Sequence, residues 1–331
     1  MTVPKFSVYM PVINQPILTE LTLRSFFKNL TVPFHKFIVI SCAANNPQTH
    51  RLMAQLAHEG YGNIPGEKFT VINLSEQEML GTPESFNMAL QLLDDDEDFF
   101  YIPNNMLFGP RFLEPILRAA YDNPMSSDIY MIHGHNILST ELFNVRAMYE
   151  NSVREQFIEN KIETADQGEY QIQEFFRLYG PGIGRTFDET TELLTRRYRD
   201  QVVDGEAENF YIKRICLDSV GFFDERFARD QQGKPSGGGE DYDYVIRIRA
   251  VGKRAVIASD SLMLKIAYGA TSRYLGDGRA ENLQIQMSQK YGAKGSWQEK
   301  SLIQPGEDYV LVGGKKLPLY HSIQSLRKVP L

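Results

Sequence analysis

An alternation in the first hundred residues constrains this chain most. Short apolar runs rich in β-branched and aromatic residues stand at 6–10 (Phe-Ser-Val-Tyr-Met), 37–40 (Phe-Ile-Val-Ile), 69–72 (Phe-Thr-Val-Ile) and 98–102 (Asp-Phe-Phe-Tyr-Ile), and they read as buried strands. Between them apolar residues recur at helical spacing: Ile17, Leu18, Leu21, Phe26 and Phe27, then Leu52, Met53, Leu56 and Ala57, then Phe86, Ala89, Leu90 and Leu93. Strand alternating with helix predicts an α/β chain with a mostly parallel sheet, right-handed crossovers and helices on its faces. Ligands of such sheets bind beyond the carboxyl ends of the strands. Here that edge carries the loops Pro11 to Gln15, Ser41 to Asn46, Leu74 to Pro83 and Pro103 to Phe108.

With 331 residues, 42% of them hydrophobic and 23% charged, the chain can bury one large core or two smaller ones. No run approaches the roughly 20 apolar residues of a membrane span, and a strand pattern begins by Phe6 without a signal peptide before it. The expectation is a cytoplasmic protein without a membrane span. Cys42 and Cys216 are too few for a disulfide framework or a zinc cluster and read as buried, inert thiols. A formal net charge of −7 offers no broad positive field for a polyanion, which argues against nucleic acid.

The second half changes character. Residues 139–205 are strongly charged, with helical segments near 145–160, 170–179 and 189–199, and read as a helical insertion or lid. Strand-like residues return at 210–212, followed by Val220-Gly-Phe-Phe-Asp-Glu225 and the glycines Gly237, Gly238 and Gly239. A helix is expected to start near Glu240, because Tyr242, Val245, Ile246, Ile248 and Val251 keep helical spacing up to Gly252. Residues 255–258 and 262–267 look like two strands and 280–291 like a helix, before a tail without clear period. The expected organisation is a first half at 1–125, a second half at 126–270 that contains the helical insertion, and a C-terminal extension at 271–331.

The densest chemistry lies in Gly221-Phe-Phe-Asp-Glu225 and Glu240-Asp241-Tyr242-Asp243. An acidic residue at a helix start can simply cap it and complement its dipole. A carboxylate facing a glycine-lined gap can instead accept a proton from a hydroxyl. Residue types alone leave both readings open.

Together with Val8-Tyr-Met-Pro-Val-Ile-Asn14, Gly81 with Asn87, and Asp98-Phe-Phe-Tyr-Ile-Pro-Asn-Asn105, these motifs stand in the order and rough spacing of family 2 glycosyltransferases. The chain resembles that family from residue 6 to about 271. The resemblance implies a GT-A fold, a nucleotide-sugar co-substrate, UDP being the commonest nucleotide, and inverting transfer to a glycan or other hydroxyl acceptor. It implies Asp241 as general base with Glu240 beside it. Pro11, Val12, Asn14, Gly81, Asn87, Asn104 and Asn105 would line the donor, with Lys265 and Arg273 near its phosphates. Gly238, Gly239, His133 and His135 would face the acceptor.

Departures from the family pattern are informative. The aspartate that normally holds a divalent cation (Mn or Mg) is replaced by Asn104, Asn105 and Met106, of which only Asn105 is a candidate ligand, and a weak one. No late metal-binding histidine stands near Ile266, and Ser41-Cys-Ala-Ala-Asn45 lacks the expected base-contacting aspartate. Two rival functions follow: a nucleotide-sugar or glycan-binding protein that lost turnover, and a transferase acting on a modified base in DNA.

Several features carry a plainer expectation. The run Asp94 to Asp98 reads as a solvated turn at the edge opposite the ligand. His133 and His135 read as structural unless a third ligand is near, Gly180 to Gly184 as a hinge, and Arg196, Arg197 and Arg199 around Tyr198 as a basic helix face.

Overall fold

The structure, a computed structural model, describes residues 4–42, 46–75, 78–139, 162–181, 184–230, 232–266, 290–291 and 307–325. In the first part strand and helix alternate as β1 (Phe6–Val12), α1 (Pro16–Asn29), β2 (Phe37–Cys42), α2 (Pro47–His58), β3 (Phe69–Leu74), α3 (Thr82–Gln91), β4 (Asp98–Tyr101), β5 (Met106–Phe108) and α4 (Leu113–Leu117). Then come β6 (Ile129–Asn136), α5 (Ala165–Tyr179), α6 (Phe187–Arg197), β7 (Val202–Asp204), β8 (Phe210–Ile212), α7 (Arg214–Ser219), α8 (Glu240–Ala250) and β9 (Arg254–Lys265). A hairpin of β10 (Tyr309–Val312) and β11 (Lys315–Pro318) follows.

Nine strands form one sheet in the order β3-β2-β1-β4-β8-β6-β9-β5, with β7 also paired to β9. The first four are parallel to one another. Then β8 runs antiparallel to both β4 and β6, while β6 and β9 are parallel. This is the GT-A type of α/β sheet with helices on its faces. Side chains alternate across the pleat, so Phe6, Val8 and Met10 of β1 join one core cluster with Phe26, Phe37, Phe100 and Phe108. Tyr9 joins the opposite cluster with Ile38, Phe86, Phe99, Phe210, Phe223 and Tyr244.

Helix starts follow local chemistry. Pro16 and Pro47 occupy first helical positions, and the Asn46 side chain accepts from Gln48 N at 2.8 Å. Thr164 with Gln167 and Thr186 with Glu189 form capping boxes that begin α5 and α6. These two helices realise part of the expected insertion and pack Ile172, Phe175, Phe176, Phe187 and Leu194 against Leu18, Leu21, Leu262 and Leu264. The segment expected at 145–160 lies outside the described residues, as do all but Lys290 and Tyr291 of the one expected at 280–291.

Three expectations need correction. The two strands expected at 255–258 and 262–267 are one strand, in which Gly134 pairs with Ala258 and the next residue, His135, with Leu262, so residues 259–261 bulge out of register. The tail is not featureless: Gly313 and Gly314, at φ 54° and 72°, make the tight turn of the β10–β11 hairpin. The run Asp94 to Asp98 is solvated only in its middle. The Glu97 side chain is fully buried and accepts from Ser7 Oγ at 3.1 Å and Asp94 N at 2.9 Å. Buried Asp98 accepts from Tyr211 Oη at 2.5 Å and Arg214 N at 2.6 Å.

The hairpin docks on the turn before α8. Leu311 N donates to Asp224 at 3.2 Å, Gly313 N to Glu225 at 2.5 Å, and Arg226 to Tyr309 O at 3.2 Å. Behind it, Arg247 is wholly buried, donating to Asp243 at 2.9 Å and to the carbonyls of Val220 and Phe222 at 2.9 and 3.0 Å. Lys290 bridges Asp243 and Asp224, lying 2.6 Å from the latter. Removing one partner of a buried pair strands the other charge. Asp243→Ala is therefore expected to lower stability by roughly 3–5 kcal/mol in denaturant unfolding, and a loss below about 1 kcal/mol would contradict this account of the network.

Candidate active site

The carboxyl ends of β1, β4, β6 and β9 and the amino end of the antiparallel β8 lie along one edge of the sheet. At the end of β1, Pro11 and Val12 remain within the ladder to β2, and Val12 is buried, so its backbone alone is presented there. Asn14 follows at φ 39°, a left-handed conformation that asparagine tolerates, and its amide oxygen accepts from Asn46 N at 3.2 Å. The loop after β1 is thereby tied to the start of α2.

Gly81 and Asn87 act on the turn before α8. A Cβ at Gly81 would sit 2.0 Å from the carbonyl oxygen of Ala228, so only glycine allows this backbone approach. Thr82 N donates to Ser236 O at 2.8 Å in the same place. The Asn87 amide both donates to Phe223 O at 2.9 Å and accepts from Phe223 N at 2.8 Å, and it also donates to Glu225 at 3.0 Å. Both residues therefore hold the segment leading to Gly237, Gly238 and Gly239.

At the end of β4, Asn104 and Asn105 are buried. Asn104 donates to Thr19 Oγ1 at 3.1 Å and Asn105 to Ile266 O at 2.9 Å, while Met106 lies in the core. This set suits a hard divalent cation poorly, because it offers two neutral amide oxygens and no carboxylate, and its thioether lies in the core. Among the described residues, His35, Asp94 and Glu97 bring ligand atoms within 4.8 Å of one another. They lie at the amino end of β4, and Asp94 already pairs with Lys5 at 2.8 Å and Lys36 at 2.7 Å.

The two acids that begin α8 differ in use. Buried Glu240, the first residue of α8, accepts from Gly238 N at 2.5 Å and so ties the glycine loop to the helix; it is not the expected N-cap, because that position is Gly239, which has no side chain to accept from the helix's free N–H groups. Asp241 is half-buried and accepts from Tyr242 N at 2.9 Å. Burial raises the Tyr242 phenol well above its ordinary range, and the charges of Glu206, Asp241 and Glu208 add to the shift. Asp241 thus shares one field with Glu206 and Glu208, and Glu208 pairs with Lys265 at 3.2 Å. Arg273 lies outside the described residues.

Glu206 and Glu208 escaped the sequence reading. Their signal is the Glu-Ala-Glu run directly before the strand 210–212, which reaches the ligand edge only because β8 is antiparallel to β4. Lys213, whose Nζ donates to Ala120 O and Ser126 O at 3.0 and 2.8 Å, and Arg214, paired with Asp218 at 2.8 Å, are committed elsewhere.

His133 supports this loop from behind. Its Nδ1 lies 2.8 and 2.9 Å from the carbonyl oxygens of Asn209 and Ala207 and 3.0 Å from Ala207 N, and Gly134 N donates to the Asn209 side chain at 2.8 Å. Complete burial pushes the His133 imidazole down to about 4. His135 is half-buried, with Nδ1 3.2 Å from Ser259 O and its ring beside Tyr198. Burial depresses it as well.

No protein-family model and no curated protein matches the chain. Among solved structures it is similar to GalNAc-T7 with UDP, GalNAc and Mn2+, at TM-score 0.52 and 12% identity over 99% of this chain and 54% of that one. It is also similar to the mannosyltransferase PcManGT from Pyrobaculum calidifontis with GDP-Man and Mn2+, at TM-score 0.49 and 14% identity over 81% of this chain and 59% of that one. The chain thus spans somewhat more than half the length of either structure. At such identity the likeness shows the fold alone. No helix among the described residues is long and apolar enough to cross a membrane.

A histidine depressed in the folded state favours unfolding as pH falls, because the unfolded chain then binds more protons. The His133 contribution is present above about pH 6.5 and declines towards pH 4, by on the order of 3 kcal/mol. Stability measured from pH 7 to 4 should fall less steeply in His133→Gln than in the wild type; parallel curves would overturn the assignment.

Proposed function

We propose that the chain is a glycosyltransferase that moves a sugar from a nucleotide-sugar donor to an acceptor hydroxyl with inversion, using Asp241 as general base. One observation carries the reading: buried Glu240 is engaged by the backbone of Gly238, while half-buried Asp241 lies beside the same glycines at the carboxyl edge of a GT-A sheet. The fold likeness to GalNAc-T7, a structure containing UDP and GalNAc, supports a nucleotide-sugar as donor class.

In the proposed step Asp241 takes the proton of the acceptor hydroxyl as its oxygen attacks the anomeric carbon. The bond from that carbon to the diphosphate oxygen breaks, and the nucleotide diphosphate leaves with the electron pair. Lys265, at the end of β9 and 3.2 Å from Glu208, is placed to meet the charge on the leaving group. The donor lies over Pro11, Val12, Asn14 and the Asn104–Asn105 turn, with UDP as the first nucleotide to test. His133 and His135 support the acceptor side through the 205–209 loop and the bulge of β9. The end of β4 lacks anionic ligands, so no step is assigned to a metal.

Asp241→Asn is expected to lower sugar transfer or donor hydrolysis by about 10²–10⁴-fold with little change in donor affinity. Donor binding without Asp241-dependent turnover would instead favour a binding protein of the same fold, the reading suggested by the amides at Asn104 and Asn105. A chelator should leave the rate largely unchanged. Loss of activity with recovery on adding Mn2+ would show a cation held elsewhere, with Glu206 and Glu208 the first residues to test.

A further inference from the structure

On the side of the sheet where β9 bulges, a groove of about 380 Å³ opens between α4 and α6. Arg111 and Arg118 contribute from the first wall and Arg196 and Arg199 from the second. Four guanidiniums face three lining carboxylates there, and with Asp200, which lies 3.0 Å from Arg118 and 3.5 Å from Arg199, the charges balance four to four. Glu114 accepts from Arg111 Nε at 2.9 Å and from Thr31 Oγ1 at 3.0 Å. Asp260 is buried and accepts from Arg118 at 2.5 Å and from Asp200 N at 3.1 Å. The bulge explains that contact, since Asp260 is one of the residues displaced from the β6–β9 register.

Arg118, held by Asp260 and by Asp200 at 3.0 Å, forms a fixed floor. Arg196 and Arg199 are held loosely, at 3.9 Å from Glu192 and 3.5 Å from Asp200, and are 83% and 78% exposed. Arg111 stands at φ 58°, a left-handed backbone that is unfavourable for a long side chain. Guanidinium groups present planar paired donors that match phosphate oxygens.

We propose that this groove binds the phosphate of an anionic ligand distinct from the nucleotide-sugar. Asp260 and Lys265 are five residues apart on β9, which places the groove within roughly 17 Å of the candidate donor edge. A phosphate-bearing ligand held here can therefore extend towards that edge. The binding claim itself does not depend on the transferase reading.

The test is calorimetric titration of the full chain with inorganic pyrophosphate at low ionic strength, in saturating UDP so that a donor site is already filled. The wild type should bind pyrophosphate, and added salt should weaken the binding. Arg196→Gln/Arg199→Gln should weaken it at least about tenfold, with unchanged melting temperature and unchanged UDP heat. Equal affinity in the variant, or no pyrophosphate binding by the wild type, would overturn the proposal. Absence of UDP heat would count against the donor reading and leave the groove measurement intact.

Discussion

A guanidinium without access to water is the constraint around which α8 and the 220–224 turn are arranged. An arginine at this depth is tolerable only if its charge is paired and its N–H groups are satisfied. Arg247 meets both conditions through Asp243 and the carbonyls of Val220 and Phe222, with its guanidinium carbon 4.8 Å from the centroid of the Tyr244 ring. The arrangement fixes the azimuth of α8 against the 220–224 turn. Asp243 and Arg247, four residues apart, share the inward side, and Asp241, two residues from Asp243, falls on the other. The position of the proposed base is thus a by-product of burying a charge.

The same turn is shared by three parts of the chain. Asn87 reaches it from α3, Arg247 from α8, and the β10–β11 hairpin through Asp224 and Glu225. Burial alone would raise the Asp224 carboxyl, yet Arg226 and Lys290 together hold it below the usual carboxylate range. The Val220–Glu225 motif is therefore also the joint between the sheet and the β10–β11 hairpin.

Much of the fold was legible because it rests on local periodicity. The four parallel strands, the start of α8 and its end before Gly252 follow from spacing and helix-stop chemistry in the neighbouring sequence. Strand direction is different. Nothing within Phe210-Tyr-Ile212 says that it runs against β4, and an all-parallel reading sends Glu206 and Glu208 to the wrong edge. Long-range pairing also misled the reading of Asp94 to Asp98, since the Glu97 and Asp98 side chains are buried by partners such as Ser7, Tyr211 and Arg214 that are far away in sequence. Within the site, Asp241 and Glu240 were legible as a pair, but which of them is buried and which half-exposed depends on which one the backbone of Gly238 engages.

His321 closes over Gly221, whose absent side chain leaves the space that the imidazole fills, and accepts from Phe222 N at 3.2 Å. This has a consequence in time. A ribosome adding about 5–20 residues per second exposes the 220–225 turn several seconds before the histidine that covers it. During that interval Phe222 lacks its aromatic neighbour and its N–H partner. Closure of the 220–225 turn is thereby coupled to arrival of the segment that carries His321.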